Sequence, residues 1–181
     1  MLMDILEVHI PLFEQYIAPI GVEKKPRLAP DMIAMLNTQI QNEITSSQIY
    51  RAMSCWLDEN GWVNASKYFF KSADEEMKHM SKVYEYLFDK NCKAMVPPVA
   101  LVNQQFADFR SIVEAALTHE MLVSKQWDDI AALARSLNDN STVELALWFN
   151  KEQVEEEKKF RDVLFYMNLD TPKWAVDNLF K

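Results

Sequence analysis

Glycine is nearly absent. Only Gly21 and Gly61 occur in 181 residues, whereas sheet proteins call on glycine in turn after turn. The scarcity predicts an all-α chain of long helices joined by few tight turns. Cysteine is as sparse. Cys55 and Cys92 stand alone with no CxxC spacing, which excludes a recognisable disulfide framework or zinc pattern and makes a reducing cytosol the default compartment. No run approaches the ~20 apolar residues that a membrane helix needs. The N-terminus lacks a basic region, and Asp4, Glu7 and His9 interrupt its apolar residues, so it does not read as a secretory signal. Basic charge is in deficit too: Lys+Arg number 19 against 27 Asp+Glu, for a formal net charge of −8. That balance argues against a nucleic-acid partner and suits the attraction of cations. Apolar residues, at 49%, are plentiful enough for one domain with a full core.

Residues 1–29 read as an N-terminal extension. Leu2, Ile5, Ile10, Leu12, Phe13, Tyr16 and Ile17 fall roughly at helical spacing, but Pro11, Pro19 and Pro26 break the chain. The expectation is a short amphipathic element followed by the irregular linker "GVEKKPRLAP". From Pro30 to about Asp58 the pattern predicts a long helix, with proline in its first turn and Asp31 at its positive end. "ENGW" is a turn. A second helix is expected from about Trp62 to Asp89, and a long connection over 90–107. A third helix is expected over about Asp108 to Leu137, the turn "NDNS", and a fourth from about Thr142 to Asn168. Thr171 is expected to cap a short final helix reaching Phe180. Short turns make two antiparallel hairpins, and the long connection crosses the length of the assembly. Residues 30–181 thus predict an antiparallel four-helix bundle with one long crossover and a short fifth helix.

Within the second helix, "DEEMKHM" places Glu76 and His79 three apart, on one face. Phe69, Phe70, Val83 and Leu87 suggest that this face points inward. Glu43 and Glu76 have their midpoint at the Asn60-Gly61 turn, so in an antiparallel hairpin they sit at the same height. Glu120 and Glu156 have theirs in "NDNS", and Gln153 shares the face of Glu156. The interval from Glu43 to Glu76 is 33 residues, and so is that from Glu120 to Gln153. Both halves carry one Glu on the first helix and an i, i+3 pair on the second. Burying a single uncompensated carboxylate costs several kcal/mol. Four of them would exhaust a domain stability of roughly 5–15 kcal/mol. Protonation could neutralise some of them, but a bound metal pair compensates all together, and carboxylate oxygens with one imidazole suit iron or manganese. In "KEQVEEEKKF" the acids cannot all face one way, and Glu157 is expected to meet solvent or a lysine.

On "NEITSSQIY", "DEEMKHM", "THEMLV" and "LWFNKEQVEEE", and the intervals between them, residues 30–170 resemble the non-haem bacterial ferritins. The resemblance implies a ferritin-like di-iron bundle. In it Glu43, Glu76 and His79 hold the first iron of a ferroxidase centre. Glu76 bridges to a second iron held by Glu120 and Glu156, with Gln153 beside it. It further implies a weaker third iron site at Glu75, Glu152 and Glu155, and a role for Tyr50 and Trp148 as aromatics able to supply electrons. The implied activity is oxidation of Fe(II) by dioxygen, with ferric mineral stored in a cytoplasmic shell of 24 self-associated subunits.

Bacterioferritins are similar too, but they place a second histidine where Glu156 stands. Met77 occupies the position of their haem-ligand methionine, though non-haem ferritins can carry methionine there, so no haem is expected. Two other readings differ in kind. One is a di-iron oxidase or oxygenase on the same bundle. The other is a helical assembly protein with an incidental acidic core.

Overall fold

A computed structural model describes residues 25–99 and 101–181. The expected N-terminal amphipathic element lies outside the described residues, as does the start of the linker that follows it. The described residues hold five helices: α1 Pro30–Glu59, α2 Val63–Asp89, α3 Phe109–Ser136, α4 Asn140–Met167 and α5 Lys173–Asn178. The ends follow local chemistry. Pro30 opens α1 with Asp31 in its first turn. Asp108 caps α3 in a reciprocal box with Ser111. The Asp139 carboxylate accepts from the Thr142 N–H at 3.1 Å, so α4 starts two residues before the expected Thr142. Gly61 takes a φ of +71° in the first turn, and Asn138 and Asp170 take the left-handed conformation in later ones.

Two expectations need correction. Thr171 does not cap the last helix; Pro172 occupies that position, and the Thr171 hydroxyl turns back to the Tyr166 carbonyl at 2.6 Å. It closes α4 instead of opening α5. Phe70 does not face inward and is 52% exposed, with the Arg51 guanidinium 5.0 Å from its ring centroid. Six residues at about 100° each leave it some 120° round the helix from Glu76, while Phe69, Val83 and Leu87 are fully buried.

The crossover runs along α1. Asn37 accepts from the Met95 N–H at 2.6 Å and Gln41 donates to the Pro98 carbonyl at 3.1 Å. Farther along, Phe106 meets Trp56 edge-on at 6.3 Å. Asn37 to Trp56 is about 28 Å of helix, so the connection returns the chain to the end where α2 began. There Trp62 stacks on Phe109 at 3.7 Å.

The core is in two parts. One holds Met32, Leu36, Ile40, Leu87, Trp127 and Phe149. The other holds Tyr50, Leu57, Phe69, Ile112 and Phe160. Between them lies a buried polar layer, with Glu43, Ser46, Ser47, Glu76, Glu120 and Gln153 drawn from all four long helices. The fold exposes no apolar helix long enough to cross a membrane among the described residues.

At the turn end, Trp62 gives α2 no side-chain cap. The cap comes from α5: the Asp177 carboxylate accepts from the backbone N–H of Asn64 at 3.1 Å and of Ala65 at 3.0 Å. The Asn64 amide adds a third bond at 2.9 Å.

Candidate metal centre

The interior helical stripe delivers four carboxylates to mid-bundle. Glu43 and Glu76 are buried, and ligand atoms of Glu43, Glu76 and His79 all lie within 4.8 Å of one another. His79 Nδ1 is 3.2 Å from Glu76 Oε2. Gln39, one turn before Glu43, donates to its Oε1 at 2.9 Å, yet Glu43 Oε2 is buried without a hydrogen-bond partner. An orphaned carboxylate oxygen is costly unless something cationic meets it.

The second hairpin supplies the other half. Glu120 is buried and accepts from Gln153 Nε2 at 2.6 Å through Oε2 and from the Tyr50 hydroxyl through Oε1. Glu156 is half-buried and accepts from the Tyr68 hydroxyl at 3.1 Å. These two carboxylates are outside the tight Glu43–Glu76–His79 set, but their charges reach it.

Burial is the main cause that raises all four carboxyls above the ordinary 4.5. Glu76 is pushed to about 7, with Glu156 and Glu75 adding repulsion. Glu120 rises to about 8, opposed by the Gln153 hydrogen bond and reinforced by Glu156 and Glu43. Glu43 goes well above its usual range through burial and the neighbouring Glu76, and Glu156 is raised too. At neutral pH the site therefore holds protons that a divalent cation would displace. The donor set of oxygens, one imidazole and an orphaned oxygen fits a hard or borderline cation such as iron or manganese.

An open cavity of about 770 Å3 leads to this layer, lined among others by Tyr68, Glu75, His79, Trp148, Glu152 and Glu156, with Glu155 also on its wall. The acids assigned by resemblance to a third iron site thus share one cavity. Glu75 is tied to Lys71 at 3.1 Å and Glu155 is exposed. Trp148 meets His79 edge-on at 5.9 Å, with Lys82 Nζ 4.0 Å above its ring. Glu157 stands apart, held by Ser124 at 2.5 Å and Arg161 at 2.6 Å, so its partner is an arginine and a serine rather than a lysine.

The residues that sequence reasoning missed are Gln39, Tyr68 and the pair Ser46–His119, whose Oγ and Nε2 are 2.7 Å apart. Gln39 is an i, i+4 neighbour of Glu43 and was readable. Tyr68 shares the inner region of α2, but its partner is 88 residues away.

Comparison with known proteins agrees with this architecture. The model of the ferritin-like domain matches residues 33–169. The bacterial non-heme ferritin of Escherichia coli is 32% identical over 145 residues, covering 78% of this chain and 86% of the relative. A probable bacterial non-heme ferritin-like protein of Haemophilus influenzae is 28% identical over 141 residues, with the same coverage of 78% and 86%. An open-pore ferritin from Archaeoglobus fulgidus superposes with a TM-score of 0.80 at 23% identity, covering 85% of this chain and 97% of that one; at that identity it speaks for the fold. A four-helix bundle with one crossover, a split core, a mid-bundle carboxylate layer and these matches together place the chain in the ferritin family.

Proposed function

We propose that the protein oxidises Fe(II) with dioxygen at the mid-bundle centre and stores the ferric product as mineral inside a closed shell of 24 copies in the cytoplasm. Family membership supports iron storage as the broad role. The observation that carries the finer reading is the Glu43–Glu76–His79 set, two buried carboxylates and a half-buried imidazole, with its orphaned Glu43 oxygen.

In this reading Glu43, Glu76 and His79 hold the first Fe(II), and Glu76 bridges to a second held by Glu120 and Glu156, with Gln153 alongside. Tyr50 and Gln153 orient the Glu120 carboxylate. Entry of each cation expels protons held on the raised carboxyls, so binding strengthens as pH rises. Two Fe(II) give one electron each to one dioxygen, which takes up two protons and leaves as hydrogen peroxide. Anionic oxygen ligands favour Fe(III) over Fe(II), which promotes that loss but also retains the product. Glu75, Glu152 and Glu155, on the cavity wall, offer the weaker site to which iron passes. Tyr50 and Trp148 are the aromatics that this reading assigns to supply further electrons, and haem has no part.

The test is size-exclusion chromatography after aerobic Fe(II) loading. A large particle carrying hundreds of irons is expected. A small dimer holding only the iron of its paired site would favour a di-iron oxidase and contradict storage.

A further inference from the structure

Tyr68 lies one helical turn beyond Asn64, the residue that Asp177 caps. Its ring packs against two phenylalanines of other segments. Phe180 meets it at 5.2 Å between centroids and 62°, and Phe160 at 6.1 Å and 86°. Lys159 Nζ lies 5.2 Å from the Tyr68 centroid and 5.3 Å from that of Phe180, and it donates to the Leu179 carbonyl. Phe180 is buried and touches Phe69 and Phe109 as well. Phe180 therefore packs on this ring from outside the four-helix bundle, while Asp177 ties the same segment to α2 and the Leu179 carbonyl ties it to α4. On its other side, the Tyr68 hydroxyl donates to Glu156 Oε2 at 3.1 Å.

Glu156 differs from the other three carboxylates. Glu43 has Gln39, Glu76 has His79, and Glu120 has both Tyr50 and Gln153. Glu156 is less buried, lines the open cavity, and takes its hydrogen bond from Tyr68. A long side chain at a cavity wall has several rotamers available, and one hydroxyl selects among them. Partners of this kind orient metal ligands and set their affinity.

We infer that Tyr68 is a positioning residue for Glu156, and that the segment Asp177–Phe180 holds Tyr68 in place, so that packing of the last helix sets the affinity of the second metal position. The inference rests on the metal-centre reading above and deepens it. It assigns a function at the centre to a helix that supplies no ligand.

The experiment is calorimetric titration of the assembled, metal-free full chain with Zn(II), a redox-inert probe. His79→Ala and Glu156→Ala identify the first- and second-site transitions. Tyr68→Phe keeps the ring and its packing but removes the hydroxyl. It should weaken the second site about ten- to a hundredfold, the scale on which losing a partner that orients a metal ligand acts, and leave the first unchanged. General loosening of the bundle would weaken both. Phe180→Leu, which keeps the site apolar, should weaken the second site in the same selective way. Added to Tyr68→Phe it should do no more, because both act through one hydroxyl. If Tyr68→Phe titrates as wild type while His79→Ala and Glu156→Ala do not, the positioning role is overturned and the metal centre stands. If Phe180→Leu alone has no effect, the part assigned to the last helix is overturned. If none of the variants changes Zn(II) binding, the metal centre itself is wrong.

Discussion

Glu120→Gln separates the electrostatics of the centre from its packing. The substitution keeps the shape and removes the charge. In the metal-free protein Glu120 is buried and its carboxyl is raised from 4.5 to about 8. The folded chain thus holds a proton there that the unfolded chain releases above pH 4.5. The stability conferred by the protonated form is complete below about 4.5 and is lost as pH rises through about 8. Between pH 5.5 and 8.5 that loss amounts to about 3 kcal/mol for this one group. For a chain of this length it corresponds to roughly 6–12 °C in melting temperature. The assay is thermal unfolding followed by circular dichroism in chelator at the two pH values. The wild type should melt lower at pH 8.5, and Glu120→Gln should lose less on the same pH change by that amount. Parallel pH dependences in the two proteins would refute the claim that Glu120 is held protonated by burial.

Asp177→Ala strips the acceptor from three donors at the start of α2 and should cost about 1–2 kcal/mol, seen as a melting temperature lower by roughly 2–8 °C; an unchanged value would mean that the cap contributes nothing. Reconstitution with haem should give no stoichiometric Soret band, and a band abolished by Met77→Leu would contradict the non-haem reading.

Much of the fold was legible because its signals are local. Two glycines, Pro30 and the turn sequences set the helix limits, and the Glu43–Glu76 and Glu120–Glu156 spacings about the turns already implied one carboxylate layer. What escaped depends on contacts between distant segments. Thr171 has the chemistry of a cap, but the chain direction after Asp170 gives its hydroxyl to Tyr166. The true cap of α2 comes from Asp177, more than a hundred residues away. Phe70 was misplaced because an apolar residue six positions from Glu76 looks close to two turns yet lies on another face. Tyr68 carries no motif, and its link to Glu156 exists only once α2 and α4 pack together.

The central claim is that the mid-bundle layer is an iron-oxidising centre, and Glu76 is its proposed bridge. Stopped-flow mixing of the metal-free protein with Fe(II) and dioxygen, wild type against Glu76→Ala, tests it most directly. The account predicts rapid oxidation of two Fe(II) per chain by the wild type. It predicts loss of that phase in Glu76→Ala, with the helical circular dichroism and assembly retained. An initial oxidation rate in Glu76→Ala equal to that of the wild type would contradict it.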